Sequence, residues 1–268
     1  MAGQIAKSER PYIKTPLIYG FAKAYGISLD EYERGRLQDY GSFNDFFTRE
    51  LKDAARPIDP ATDSLACPAD GTVSQIGQIQ NGQILQAKGR DYSVGQLLAD
   101  YEDGMAMTDG AFATIYLAPS NYHRVHMPFN GTLIETRYVP GNLFSVNNAT
   151  ASHVPDLFAR NERLVCVFET DFGRAFVVLV GAMIVAGIEC VATGKLERTD
   201  RIQTRTHSLA LKKGDELGRF YLGSTAIVVL PKAANTLWSP AFGHGSTVRM
   251  GETLGQTNTS FHQATTQP

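Results

Sequence analysis

The chain has 268 residues, 43% of them hydrophobic and 19% charged, with a formal net charge of −2. That profile suits a soluble protein with one large domain and a small appendage, and it lacks the basic excess that nucleic-acid binding asks for. The start, Met1 to Arg10, is too polar for a secretory signal, and no apolar run is long enough to span a bilayer.

Ile13, Leu17, Phe21 and Tyr25 recur every four residues with Ile18 and Ala22 beside them, which predicts a striped helix beginning near Pro16. Such a stripe packs on the rest of the fold, or lies on a membrane with Lys7, Arg10, Lys14 and Lys23 near anionic headgroups. Ser28 and Glu31 have the spacing of a capping box for a second short helix. Ser42 and Asp45 predict a third, Phe43 to Leu51, carrying Phe43, Phe46 and Phe47. Pro57 and Pro60 then interrupt the chain, and a boundary near Asp63 separates a helical region, 1–62, from a β-rich domain, 63–268.

Beyond Asp63 the texture changes to short β-rich runs between Gly, Asn and Pro. Strands are expected at Gly71–Ile76, Phe112–Leu117, Gly131–Val139, Arg163–Glu169, Ala175–Val180 and Ser224–Leu230, and Phe176–Ile188 reads as one or two buried strands. The fold class is therefore α+β and mainly β, an antiparallel sandwich or barrel with a small N-terminal helical region. Cys67, Cys166 and Cys190 have no CxxC spacing and read as buried thiols. The Thr- and Gln-rich tail from Gln256 is expected to be disordered.

Chemistry concentrates in four places. Leu222-Gly223-Ser224-Thr225 sets a serine directly after a glycine at the start of a strand, where a hydroxyl can attack an unshielded carbonyl if a base stands by. Alone, such a triplet is an ordinary turn. Pro68-Ala69-Asp70-Gly71 puts a carboxylate in a tight turn before a strand, and Asp-Gly there also serves as a simple turn former. His123 and His126 stand three apart between Pro119 and Pro128. Pro119-Ser120 signals a helical turn, which would bring both rings to one centre, whereas a strand would send them to opposite faces. A zinc site is the lesser reading, since no second ligand pair lies nearby. Gly141 to Asn147 is a polar loop after a strand. Asp, His and Ser together are the ingredients of nucleophile activation.

Five ordered segments, Pro68–Gly71, Tyr122–Pro128, Leu143–Asn147, Phe158–Arg163 and Gly218–Thr225, resemble the phosphatidylserine decarboxylases of the bacterial and mitochondrial type, over about Phe43 to Gly255. The segment ahead of Ile13 is short for that family, whereas its Leu-Gly-Ser-Thr is intact at Leu222–Thr225. The resemblance implies a proenzyme that cuts itself between Gly223 and Ser224 into a β chain, 1–223, and an α chain, 224–268. It implies that Asp70, His126 and Ser224 form the self-cleavage triad, with Ser224 becoming a covalent pyruvoyl group that serves in place of pyridoxal phosphate or a metal. His123 is then the acid–base group of decarboxylation, and Ser145 and Asn147 are candidate holders of the head group. The implied substrate is phosphatidylserine, converted to phosphatidylethanolamine with release of CO2. A homodimer is also implied, as is a peripheral site on a membrane, the cytoplasmic face of the inner membrane in a bacterium.

Three other readings compete. A lipid-cleaving serine hydrolase also uses Ser, His and Asp, but Ser224 is not in a G-x-S-x-G elbow. A non-catalytic β-sandwich binding module would use the Gly243–Ser246 loop and leave the motif set unexplained. A pyruvoyl enzyme acting on a free amino acid is nearest, and the helical N-terminus favours a lipid substrate over it.

Overall fold

The computed structural model describes residues 2–182, 187–221 and 224–258. An eight-stranded antiparallel sheet forms the middle of the molecule. Its strand order is Gln203–Leu211, Gly131–Val139, Arg163–Thr170, Gly173–Gly181, Ser224–Leu230, Ala111–Leu117, Gly71–Gln78 and Thr247–Val248. One face packs on a four-stranded sheet of Gly194–Lys195, Ile188–Cys190, Glu216–Phe220 and Arg124–His126. The other face is covered by the hairpin Gln83–Ala87/Arg90–Ser93 and the short helices Val94–Leu98 and Leu157–Arg160.

Side-chain alternation builds both cores from the same strands. Ala226, Val228 and Leu230 join the inter-sheet core with Val177 and Leu179, while Ile227 and Val229 join the helix-covered core with Phe176 and Val178. The Ser224–Leu230 strand is buried along its whole length, which is why Ala226–Leu230 reads as an unbroken apolar run. Each such Val, Ile or Leu contributes roughly 1.5–3 kcal/mol by leaving water.

The six expected strands all form, with ends shifted by two residues at most. The Phe176–Ile188 run divides between Gly173–Gly181 and Ile188–Cys190. All three cysteines are buried free thiols.

The helices need correction. The first long one runs from Pro11 to Tyr25, with Pro11 itself supplying the N-terminal proline and Pro16 sitting inside. It packs through Ile18 and Ala22 onto the aromatic cluster of Phe43, Phe46, Phe47 and Tyr122. No helix forms at Ser28. Its hydroxyl closes a local turn with Asp30 instead, and Glu31 is drawn to Arg56 and Arg249. Ser42 does cap a helix by accepting the Asp45 N–H, but that helix spans only Phe43–Phe47. Gln256, expected in a disordered tail, pairs with Ser64 and Leu237, and residues 259–268 lie outside the described residues.

Candidate active site

Ser224 opens the central strand, pairing with Leu117 on one side and Gly181 on the other. It shares the parity of Ala226 and Val228, so its side chain lies on the face toward the covering sheet. The residue is fully buried and its Oγ has no hydrogen-bond partner. Buried polar atoms are nearly always satisfied, so an orphaned hydroxyl wants an explanation. Thr114 and Thr225 also carry orphan hydroxyls, but only Ser224 directly follows a glycine. Gly223 and Leu222 lie outside the described residues.

The expected helical turn at the histidines does not exist. Arg124–His126 is a strand of the covering sheet, paired with Glu216–Arg219, and an extended backbone sends positions three apart to opposite faces. His123 is fully buried, with its ring stacked on Phe47 at a centroid distance of 4.0 Å. Its carbonyl accepts the Phe220 N–H, and its Nε2 lies 3.4 Å from the Pro119 carbonyl. His123 is thereby tied to the segment before Ser224 and to the segment that follows Leu117. Its Nδ1 has no partner. Burial, helped by the nearby Arg49 charge, pulls its pKa down to about 3, so the ring is neutral at pH 7.

His126 points away from the inter-sheet core that its neighbour Val125 enters. It lines a pocket of about 280 Å³ with Arg56, Tyr122, Arg124, Glu216 and Met250. The Gly214 carbonyl, 2.7 Å from Nδ1, can only accept, which fixes the proton on Nδ1 and leaves Nε2 to accept from the Tyr122 hydroxyl at 2.9 Å. Burial lowers the His126 pKa, against the opposing pull of the Gly214 carbonyl.

Asp70 is buried near this pocket. Its carboxylate accepts from Arg56 at 2.8 Å and from the Met250 N–H at 2.8 Å. Burial works against the Arg56 charge, but Asp70 and Glu31 outweigh it and the guanidinium pKa is raised. Gly71 is what lets this turn lie flat on the sheet, because a Cβ there would meet the Tyr116 carbonyl oxygen at 2.3 Å. The orienting contact that sequence reasoning assigns to Asp70 is thus made by the Gly214 carbonyl, and the hydrogen bonds of Asp70 run to Arg56 and Met250.

Ser145 is half-buried, and Asn147 caps the helix Asn148–His153 by accepting the Thr150 N–H. The loop that carries them is stapled beside Ser224 by Asn161. That side chain accepts the Phe144 N–H and donates to the carbonyls of Phe144 and Gly181, the latter being the strand partner of Ser224. Sequence reasoning gave no individual role to Phe47, Arg49, Arg56 or Asn161. Asn161 lies inside one of the quoted segments, but a partner 14 residues away, as Arg56 is for Asp70, leaves no local pattern.

The family model for phosphatidylserine decarboxylase matches residues 43–256. Proteins named phosphatidylserine decarboxylase proenzyme from Psychrobacter arcticus and Psychrobacter cryohalolentis are 67% and 66% identical, over 95% and 97% of this chain and 92% and 94% of theirs. One of the same name from Acinetobacter baylyi is 53% identical over 96% of this chain and 90% of its own. The chain belongs to the phosphatidylserine decarboxylase family. It is a decarboxylase made as a proenzyme, as the members it matches are. Among the described residues, no helix is long and apolar enough to cross a membrane, and no group of three or more His, Cys, Asp or Glu could hold a metal ion.

Proposed function

We propose that this chain cuts itself between Gly223 and Ser224 and then decarboxylates phosphatidylserine at a membrane surface. The observation that carries the reading is the orphaned Ser224 Oγ, buried at the head of a rigid central strand directly after Gly223. A hydroxyl with no competing hydrogen bond is free to turn on the preceding carbonyl once a base takes its proton. Oγ attacks Gly223 C, the C–N bond breaks, and the amide becomes an ester. Loss of the Ser224 α-proton expels the Gly223 carboxylate, and water then removes the nitrogen as ammonia, leaving a ketone on residue 224.

On the assignment that the resemblance implies, His126 takes the hydroxyl proton on Nε2 once Tyr122 releases it and the ring has swung out of its pocket on the far side of the covering sheet from Ser224. Asp70 favours the protonated ring through its charge and holds Arg56 and Met250 in place. The pyruvoyl group so made supplies a carbonyl for the substrate amine and an electron sink for the carbon that loses CO2. Ser224 Oγ, unpartnered at the required position, fits that origin. His123 returns a proton to that carbon, and Ser145 and Asn147 hold the head group on the loop that Asn161 pins beside Ser224. Tyr12, Tyr19 and Ile5, exposed on the N-terminal helices, supply aromatic and apolar contacts for a membrane surface.

A second division of labour has its own support. His123, not His126, is tied to the segment before Ser224 and to the one that follows its strand partner Leu117, and its Nδ1 is an orphan as well. On that reading His123 starts the cleavage. The two histidine-to-alanine variants decide between them. The first reading expects His126→Ala to stay uncut and His123→Ala to be cut yet release no CO2, and the reverse pattern establishes the second. The activity itself is tested by CO2 release from phosphatidylserine in detergent micelles and from free serine. Turnover of the lipid alone is expected, and turnover of serine alone would contradict a lipid substrate.

A further inference from the structure

Just upstream of Ser224 the chain is pinned at Tyr221, the last described residue before it. The Tyr221 N–H donates to the Gly187 carbonyl at 2.9 Å, and its hydroxyl donates to the Glu189 carboxylate. Lys195 Nζ sits 4.0 Å from the ring centroid, a cation–π contact. Gly187 keeps the space the ring needs, since a Cβ there would meet Tyr221 Cδ2 at 3.0 Å and Cβ at 3.1 Å. Glu189 is paired in register with both Arg219 and Lys195, so the covering sheet presents its clamp as one unit. Burial and the Glu189 carboxylate both raise the phenol pKa, which keeps the hydroxyl a donor.

On the other side of the bond, Ser224 is locked into the large sheet by Leu117 and Gly181. Phe220 belongs to the covering sheet and Ser224 to the large one, so the chain changes sheets between them. No step of the mechanism above uses this clamp, yet it anchors the upstream side of the reacting peptide.

We propose that Tyr221, gripped by Gly187, Glu189 and Lys195, is a positioning residue for self-cleavage that sets where the upstream segment delivers its carbonyl to Ser224. The inference rests on the self-cleavage reading. A nucleophile fixed on one sheet needs its target fixed from the other, and misplacement by about 1 Å costs about 100-fold in rate.

The test follows cleavage of freshly synthesised full-length precursor by intact mass. Tyr221→Ala is expected to slow it by about 100-fold. Tyr221→Phe keeps the ring and loses only the Glu189 hydrogen bond, so it recovers most of the rate and lags wild type by about fivefold. Gly187→Ala slows cleavage although Tyr221 is intact. The same changes in an uncleavable Ser224→Ala background should leave a cooperative melt close to that of Ser224→Ala alone, which a purely structural role would not. Wild-type rates in Tyr221→Ala and Gly187→Ala overturn the inference and leave self-cleavage standing. If Tyr221→Ala fails to fold, Tyr221→Phe and Gly187→Ala decide in the same way. An uncut wild type overturns the self-cleavage reading and this inference together.

Discussion

Two sets of buried polar groups face opposite sides of the covering sheet, and they are treated oppositely. In the pocket set, Asp70, Arg56, Tyr122 and His126 satisfy one another and nearby backbone. In the interior set, Ser224 Oγ and His123 Nδ1 have no partner at all. A satisfied network holds geometry, whereas an unsatisfied buried hydroxyl and an unsatisfied buried ring nitrogen are stability given up for reactivity. The contrast separates what builds the site from what reacts in it.

The sharpest way to break that distinction is to remove one member of each set. Ser224→Ala should abolish cleavage and CO2 release completely while leaving stability unchanged or slightly raised, because it deletes a hydroxyl that bonds to nothing. Asp70→Ala should cost about 3–5 kcal/mol in urea unfolding, because the nearly buried Arg56 loses its closest carboxylate. Equal stability losses in the two variants would erase the distinction.

Acid sharpens the comparison next. His123 titrates at about 3 in the folded chain against about 6.5 unfolded, and burial also lowers His126. The unfolded chain therefore takes up protons first as pH falls below 6.5. The stability that the neutral His123 ring confers is complete above that pH and is lost toward pH 3, at about 1.4 kcal/mol per pH unit, and His126 adds a loss in the same direction. His123→Phe, which keeps a ring against Phe47, should reduce that slope by one proton. An unchanged slope would show that His123 is not held neutral by the fold.

A smaller effect is expected at the staple. Asn161→Leu strands the Phe144 N–H and the Gly181 carbonyl and should cost about 2–3 kcal/mol. Lipid turnover should fall in the part that is still cleaved, measured as CO2 per carbonyl-bearing chain. Smallest of all, Tyr12→Ser with Tyr19→Ser should weaken sedimentation with anionic vesicles severalfold and leave micellar turnover alone. Unchanged vesicle binding would move the membrane contact elsewhere.

What the sequence made legible follows from how local each cause is. Ser224–Leu230 and Gly131–Val139 were readable to the residue because β-branched runs bounded by turn residues carry their own signal. The Ser42 cap was readable for the same reason. The helix expected at Ser28 was lost because Glu31, the residue meant to close its cap, pairs with Arg56 and Arg249 from distant segments. The shared face expected for His123 and His126 was lost because strand pairing with Glu216–Arg219 overrode a local turn signal. Tertiary partners made both decisions, and no window of sequence contains them. The site was legible as a set of residue types, while the Arg56–Asp70 pair, the Phe47–His123 stack and the Asn161 staple were visible only in three dimensions.

The most direct test of the central claim is intact-mass spectrometry of the folded wild-type protein. Two chains, 1–223 and 224–268, the smaller bearing a carbonyl in place of its terminal amine, are the predicted result. A single folded chain of full sequence mass would contradict it, and labelling of Ser224 in that chain by a fluorophosphonate would identify a hydrolase instead.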